Sequence, residues 1–176
     1  MKSALNAETR VIPGGNGMEL PLEEIVVKKL MECGFHISFA ESCTAGLCAA
    51  RLVNVPSASA VFDSSVVTYA NAAKVRLIGV KESTIEAYGV VSEAVAGEMA
   101  AGVAKSEGAE VGVGISGIAG PTGATETKPI GMVCFGFYVN GALTTSTMQF
   151  GDLGRNNVRA AAVEYVYEQL CGLLGN

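Results

Sequence analysis

His36-Ile-Ser-Phe-Ala-Glu-Ser-Cys-Thr-Ala-Gly46 is the stretch around which the rest of the chain is arranged. Ile37 and Phe39 alternate, Ala40 closes the run and Gly34 lies behind it, which predicts a short buried strand. Beyond it Leu47, Cys48, Arg51, Leu52 and Val53 recur at helical spacing, so Ser42, Cys43 and Thr44 fall at or just before a first helical turn, where backbone N–H groups lack partners. That end is also the positive pole of the helix. A serine at such a junction can cap the helix, hold an anion, or act as a nucleophile beside donors that stabilise an oxyanion. Capping is the commonest of the three.

Outward from this unit the same alternation repeats. On the N-terminal side, Pro21 suits a first helical turn, Leu22, Ile25, Val26, Leu30 and Cys33 form a stripe, and Gly34 ends it. Residues 1–17, ending in Pro13-Gly14-Gly15-Asn16-Gly17, have no periodicity and read as a flexible tail, leaving 18–176 as one domain. On the C-terminal side, Val61 to Tyr69 is rich in β-formers and predicts a second strand. It runs into a helix over Ala70 to Ile78 that Gly79 closes, followed by a short helix at Ser83 to Tyr88 and a longer one from a Ser92 cap through Lys105. Val111 to Ser116 predicts a third strand covered on both faces. A Gly-rich loop occupies 117–129. Met132 to Val139, Asn140-Gly141 and Ala142 to Phe150 form a hairpin with a type I′ signal. A last helix starts near Asn156. Strands interleaved with helices plus one late hairpin predict an α/β fold, a three-layer α/β/α sandwich with a mixed β-sheet. Ligands in such sheets gather at the carboxyl ends of the strands. Ser42 to Gly46, Tyr69 to Lys74 and Gly117 to Gly123 all follow strands, so they share one edge if those strands are parallel.

Composition narrows the function. Of 176 residues, 49% are hydrophobic and 16% charged, with 22 glycines, which describes a folded chain with many tight turns. A formal net charge of −5 leaves no basic field for a polyanion, so nucleic acid is disfavoured as the main ligand. The five cysteines are odd in number and include no C-x-x-C pair, which predicts neither a disulfide framework nor a zinc site and favours a reducing, cytoplasmic location. No run reaches membrane-spanning length.

The single histidine, His36, precedes the first strand and lies at the opposite end from Ser42, so a Ser-His-Asp triad is improbable and imidazole metal catalysis unsupported. A neutral lysine can replace histidine as the base for a serine. Lys74 follows the second strand; as a base its pKa must fall from about 10.4 toward 7 or 8, which demands burial or a second cation. A solvated helix lysine is the ordinary alternative, as a strand-end tyrosine with its hydroxyl in water is for Tyr69. The Gly-rich loop fits neither a P-loop nor a dinucleotide fingerprint, and is either a structural turn or a backbone pocket for an anion or carbonyl. Cys43 competes as a nucleophile but, without a partner, reads as a packed thiol.

Several motifs in order resemble the CinA C-terminal domain family: Ala40-Glu41-Ser42-Cys43-Thr44-Ala45-Gly46, Val67-Thr68-Tyr69-x-Asn71-x-x-Lys74, Gly89-Val90-Val91-Ser92-Glu93, Ser116-Gly117-Ile118-Ala119-Gly120-Pro121-x-Gly123, and Lys128-Pro129-Ile130-Gly131. The resemblance covers roughly residues 20 to 172. It implies an α/β/α sandwich and a nicotinamide-nucleotide amidase. The implied reaction hydrolyses the carboxamide of nicotinamide mononucleotide to nicotinic acid mononucleotide and ammonia, with no metal and no organic cofactor. The family serine falls on Ser42, its tyrosine on Tyr69 and its lysine on Lys74; the mechanism expected here has Lys74 take the Ser42 proton through Tyr69. The expected substrate-binding set is Cys43, Thr44, Gly46, Gly117, Gly120, Gly123, Lys128 and Arg155. Amides at the helix start near Cys43 and Thr44, or those of the Gly loop, are expected to hold the oxyanion. The larger family proteins carry a further N-terminal domain, and the family's Gly-Asp-Arg stands here as Gly151-Asp152-Leu153-Gly154-Arg155, with two extra residues. The expected partner is a small pyridine nucleotide, not nucleic acid or a membrane, and a homo-oligomer is compatible with the sequence. A non-catalytic nucleotide-binding or regulatory domain is the alternative.

Overall fold

The computed structural model of the chain describes residues 20–175, so the tail expected at 1–17 lies outside the described residues. Six helices and five strands follow in the order α1 (Leu22–Cys33), β1 (Ile37–Glu41), α2 (Leu47–Leu52), β2 (Phe62–Val67), α3 (Asn71–Ile78), α4 (Glu82–Tyr88), α5 (Glu93–Glu107), β3 (Val111–Gly117), β4 (Met132–Val139), β5 (Ala142–Gln149) and α6 (Arg155–Leu173), with a 3₁₀ turn at Ala58–Ala60. The sheet order is β2-β1-β3-β4-β5. β1 is parallel to both β2 and β3, whereas β3–β4 and β4–β5 are antiparallel. The fold is the expected α/β/α sandwich with a mixed sheet.

Strand alternation assigns the two faces. Ile37, Phe39, Val111, Val113, Ile115, Phe135 and Phe137 enter one core with Val26 and Leu30 of α1 and with Val158, Val166 and Leu170 of α6. Ala40 points the other way and packs with Ile78, Val95, Met99 and Val103. On that second face Gly112, Gly114 and Gly136 let α5 lie directly on the sheet. A Cβ at Gly114 would run into the Ala96 carbonyl, and one at Gly112 into that of Ala100.

Local signals account for most boundaries. Gly34, Gly79 and Gly108 end α1, α3 and α5 in the left-handed conformation, and the Ser92 hydroxyl accepts from the Val95 amide to start α5. Asn140 and Gly141 both have positive φ, as a type I′ turn requires, and set the register Val139 opposite Ala142. Two boundaries differ from expectation. The second strand spans Phe62–Val67 rather than Val61 to Tyr69 and lies at a sheet edge with only partial cover. The helix expected from Ser42 begins at Leu47, five residues later. Among the described residues no helix is long and apolar enough to cross a membrane, and no three or more His, Cys, Asp or Glu side chains are grouped so as to hold a metal ion.

Candidate active site

Because β1, β2 and β3 are parallel, their carboxyl ends bring the three polar junctions to one edge of the sheet. They enclose a cavity of about 300 Å³ lined by Ser42 and Cys43 after β1, Tyr69, Asn71 and Lys74 after β2, and Gly117 at the end of β3 with Gly120 and Gly123 beyond it. Arg155, the first residue of α6, closes its rim.

Ser42 is held at the end of β1, where its amide donates to the Ile115 carbonyl at 3.1 Å and continues the pairing with β3. Facing it is Lys74, fully buried in the first turns of α3. Its Nζ donates to Ser42 Oγ at 3.1 Å and to the Thr68 carbonyl at 2.6 Å. Among the described residues no carboxylate pairs with this amine. Burial lowers its pKa from the ordinary lysine value and outweighs the opposing influence of the neighbouring Cys43. Of the alternatives open for Lys74, a solvated lysine is the one the structure removes. The relay is corrected as well, since Lys74 meets Ser42 directly. Tyr69 is 58% exposed and its hydroxyl accepts from Arg155 Nη2 at 2.9 Å instead.

The helix start is satisfied by a group to which the sequence reading gave no role. Glu41, the last residue of β1, is completely buried on the α2 side of the sheet. Its carboxylate accepts from the amides of Gly46 at 2.9 Å, Cys48 at 3.2 Å and Ala49 at 3.0 Å. Its two oxygens take three amides of the helix start, so no hydroxyl of the turn is needed for those donors. Ser42 therefore does not cap α2, whose N-cap Gly46 makes no side-chain cap bond. The Gly46 amide is consumed, and neither Gly46 nor the buried Thr44 lines the cavity, so neither stands where a substrate-binding role would put it. Residues 42–46 instead form a tight turn with Ala45 at φ 52° and Gly46 at φ 94°.

Cys43 does line the cavity, but burial pushes its thiol up to about 12, which leaves it protonated at neutral pH. Its carbonyl and that of Thr44 accept from Arg159 Nε and Nη2, each at 3.0 Å. Arg159 and Glu41 are the residues sequence reasoning missed. Arg155 and Arg159 share one face of α6 at a spacing of four, a signal present in the sequence. Despite the two extra residues before it, Arg155 reaches the site, where Nη1 donates to the Gly120 carbonyl at 2.9 Å. Lys128 does not line the cavity. Its Nζ donates to the Tyr88 carbonyl at 2.6 Å, at the negative pole of α4.

The family model of the CinA C-terminal domain matches residues 19–174. A CinA-like protein of Kosmotoga olearia is 48% identical over 150 residues, which is 85% of this chain and 36% of that protein. A CinA-like protein of Dictyoglomus turgidum is 47% identical over 142 residues, 80% of this chain and 34% of its own length. The chain thus spans about a third of the length of these relatives. Among solved structures, the competence/damage inducible protein CihA from Agrobacterium tumefaciens superposes with a TM-score of 0.83 at 36% identity, covering 88% of this chain and 96% of that one. The competence damage-inducible protein A (ComA) from Klebsiella pneumoniae gives a TM-score of 0.84 at 34% identity with the same coverage.

Proposed function

From two premises, that the chain belongs to the CinA C-terminal domain family and that a buried lysine stands against Ser42, we infer that it is a serine amidase acting on the carboxamide of nicotinamide mononucleotide. The observation that carries this reading is the 3.1 Å contact of the fully buried Lys74 Nζ with Ser42 Oγ. In the neutral amine, one N–H stays on the Thr68 carbonyl and the lone pair turns to the Ser42 hydroxyl. Lys74 takes the hydroxyl proton as Oγ attacks the amide carbon. The amides of Cys43, Ala119 and Gly120 belong to residues that line the cavity and make no main-chain hydrogen bond among the described residues, which leaves them as donors for the oxyanion. Lys74 then returns the proton to the departing nitrogen, ammonia leaves, and the acyl group remains on Ser42. Water attacks next, giving its proton to Lys74, and the carboxylate is released with the hydroxyl restored.

The test is ammonia release from nicotinamide mononucleotide by the purified protein and by Ser42→Ala. Release by the first and not the second is expected. Binding of the nucleotide without any ammonia would replace this reading with that of a non-catalytic nucleotide-binding domain.

A further inference from the structure

We propose that Arg159 is a positioning residue, which fixes where the Ser42 hydroxyl stands by holding the two carbonyls that follow it. The proposal rests on Ser42 as the nucleophile. Residues 42–46 lie between a strand and a helix yet belong to neither, and they contain a non-glycine residue, Ala45, in the left-handed region. Such a turn keeps one shape only where its surroundings over-determine it. Two side chains from different elements do so. Glu41 takes the amides of Gly46, Cys48 and Ala49 from the α2 side. From α6, Arg159 donates through Nε to the Cys43 carbonyl and through Nη2 to the Thr44 carbonyl, both at 3.0 Å, and through Nη1 to Asn156 Oδ1 at 3.4 Å. A planar guanidinium places two N–H groups on adjacent carbonyls at fixed spacing, which a flexible ammonium cannot reproduce. Arg159 itself does not line the cavity, so it meets the reaction only through the turn. Displacing a nucleophile by about 1 Å can cost on the order of 100-fold in rate without any substrate contact being lost.

Three variants and two readouts test this. Arg159→Gln and Arg159→Lys are expected to lower kcat for nicotinamide mononucleotide by about 10- to 100-fold while KM stays within about twofold. Adding guanidinium to Arg159→Ala should restore part of the loss. Sulfonylation of Ser42 by a small sulfonyl fluoride, which displaces fluoride and is read by intact mass, should slow in parallel, because that probe carries neither pyridine nor phosphate. The same labelling counts reactive sites, so kcat per labelled site separates misplacement from a reduced folded fraction. Wild-type kcat per site in Arg159→Lys, or a raised KM at unchanged kcat, would overturn the positioning role and leave the amidase reading intact. Wild-type protein that neither labels at Ser42 nor releases ammonia would overturn both. Labelling without ammonia release would remove the substrate assignment alone, and the labelling rates would then decide the role of Arg159.

Discussion

Two nucleophilic side chains stand side by side at the end of β1, and their surroundings separate them. The Ser42 hydroxyl touches an amine whose pKa burial lowers, while the Cys43 thiol is pushed up to about 12 by the same cause. Ser42→Ala is expected to lose at least about 10³-fold in turnover and Cys43→Ala only a few-fold, measured as ammonia release. A dead Cys43→Ala beside a live Ser42→Ala would reverse the assignment. Lys74→Arg should be as damaging as Lys74→Ala, since a guanidinium keeps charge but cannot take the serine proton at working pH. The direction of the Lys74 shift also fixes two pH dependences. Activity should rise with pH through the lowered pKa, because only the neutral amine accepts a proton. Stability should rise over the same window. Between the folded pKa and the unfolded value near 10.5, the unfolded chain binds the extra proton, so raising pH favours the fold, and this contribution is lost as pH falls through the folded pKa. Lys74→Met should therefore melt higher than wild type at neutral pH, with the gap narrowing toward pH 10, at about 1.4 kcal/mol for each pKa unit of the shift. A gap independent of pH would mean that Lys74 is not held neutral-prone by burial.

At the scale of elements, the strands that build the edge were legible because their residues obey simple patterns. Each residue of Val111 to Ser116 is apolar or small, as suits a doubly covered central strand, and Asn140-Gly141 names its own turn. The junction after β1 was misread for a physical reason. Ser42 and Thr44 look like caps, but the α2 amides are taken by Glu41, which the strand itself delivers to them. One residue's register on the strand decides this: Glu41 lies opposite Ile115, on the α2 face, and no local helix signal reports that pairing. The direct Lys74–Ser42 contact was likewise beyond reach, since the spacing brings both residues to one sheet edge but does not say which way the lysine side chain turns. Glu41→Gln should lower stability by about 2 kcal/mol, because a neutral amide offers weaker acceptance to three buried or half-buried N–H groups. Thermal or urea unfolding measures it, and a change within about 0.5 kcal/mol would deny Glu41 the capping role. Gly114→Ala belongs to the same scale. Its Cβ meets the backbone of α5 rather than a movable side chain, so about 1–3 kcal/mol of destabilisation is expected from the same unfolding curves.

The whole molecule carries a formal net charge of −5, so the nucleotide monoester proposed as substrate would enter against a repulsive field that local donors would have to reverse. The topology concentrates them at one place. Parallel β1, β2 and β3 deliver three junctions to a common edge, and α6, more than a hundred residues after Ser42 in the chain, brings Arg155 across them. Arg155 ties the Gly120 carbonyl of one junction to the Tyr69 hydroxyl of another. A guanidinium has five N–H donors, and these two contacts leave three for a ligand at the cavity rim. Lys128 was the other cation expected here, and with its amine on Tyr88 outside the lining it leaves Arg155 as the cation that lines the cavity mouth among the described residues. If Arg155 binds the phosphate, Arg155→Ala should raise KM for nicotinamide mononucleotide by about 10- to 100-fold, the range of a charge-assisted hydrogen bond worth roughly 1.5–3 kcal/mol. The same variant should leave the weaker reaction with phosphate-free nicotinamide riboside near its wild-type rate, because Ser42 and Lys74 touch neither Arg155 nor its partners. Comparing kcat/KM for the two substrates decides it. Equal losses on both would show that Arg155 acts by holding Tyr69 and the Gly loop in place, and the phosphate would then have to be sought on backbone amides alone.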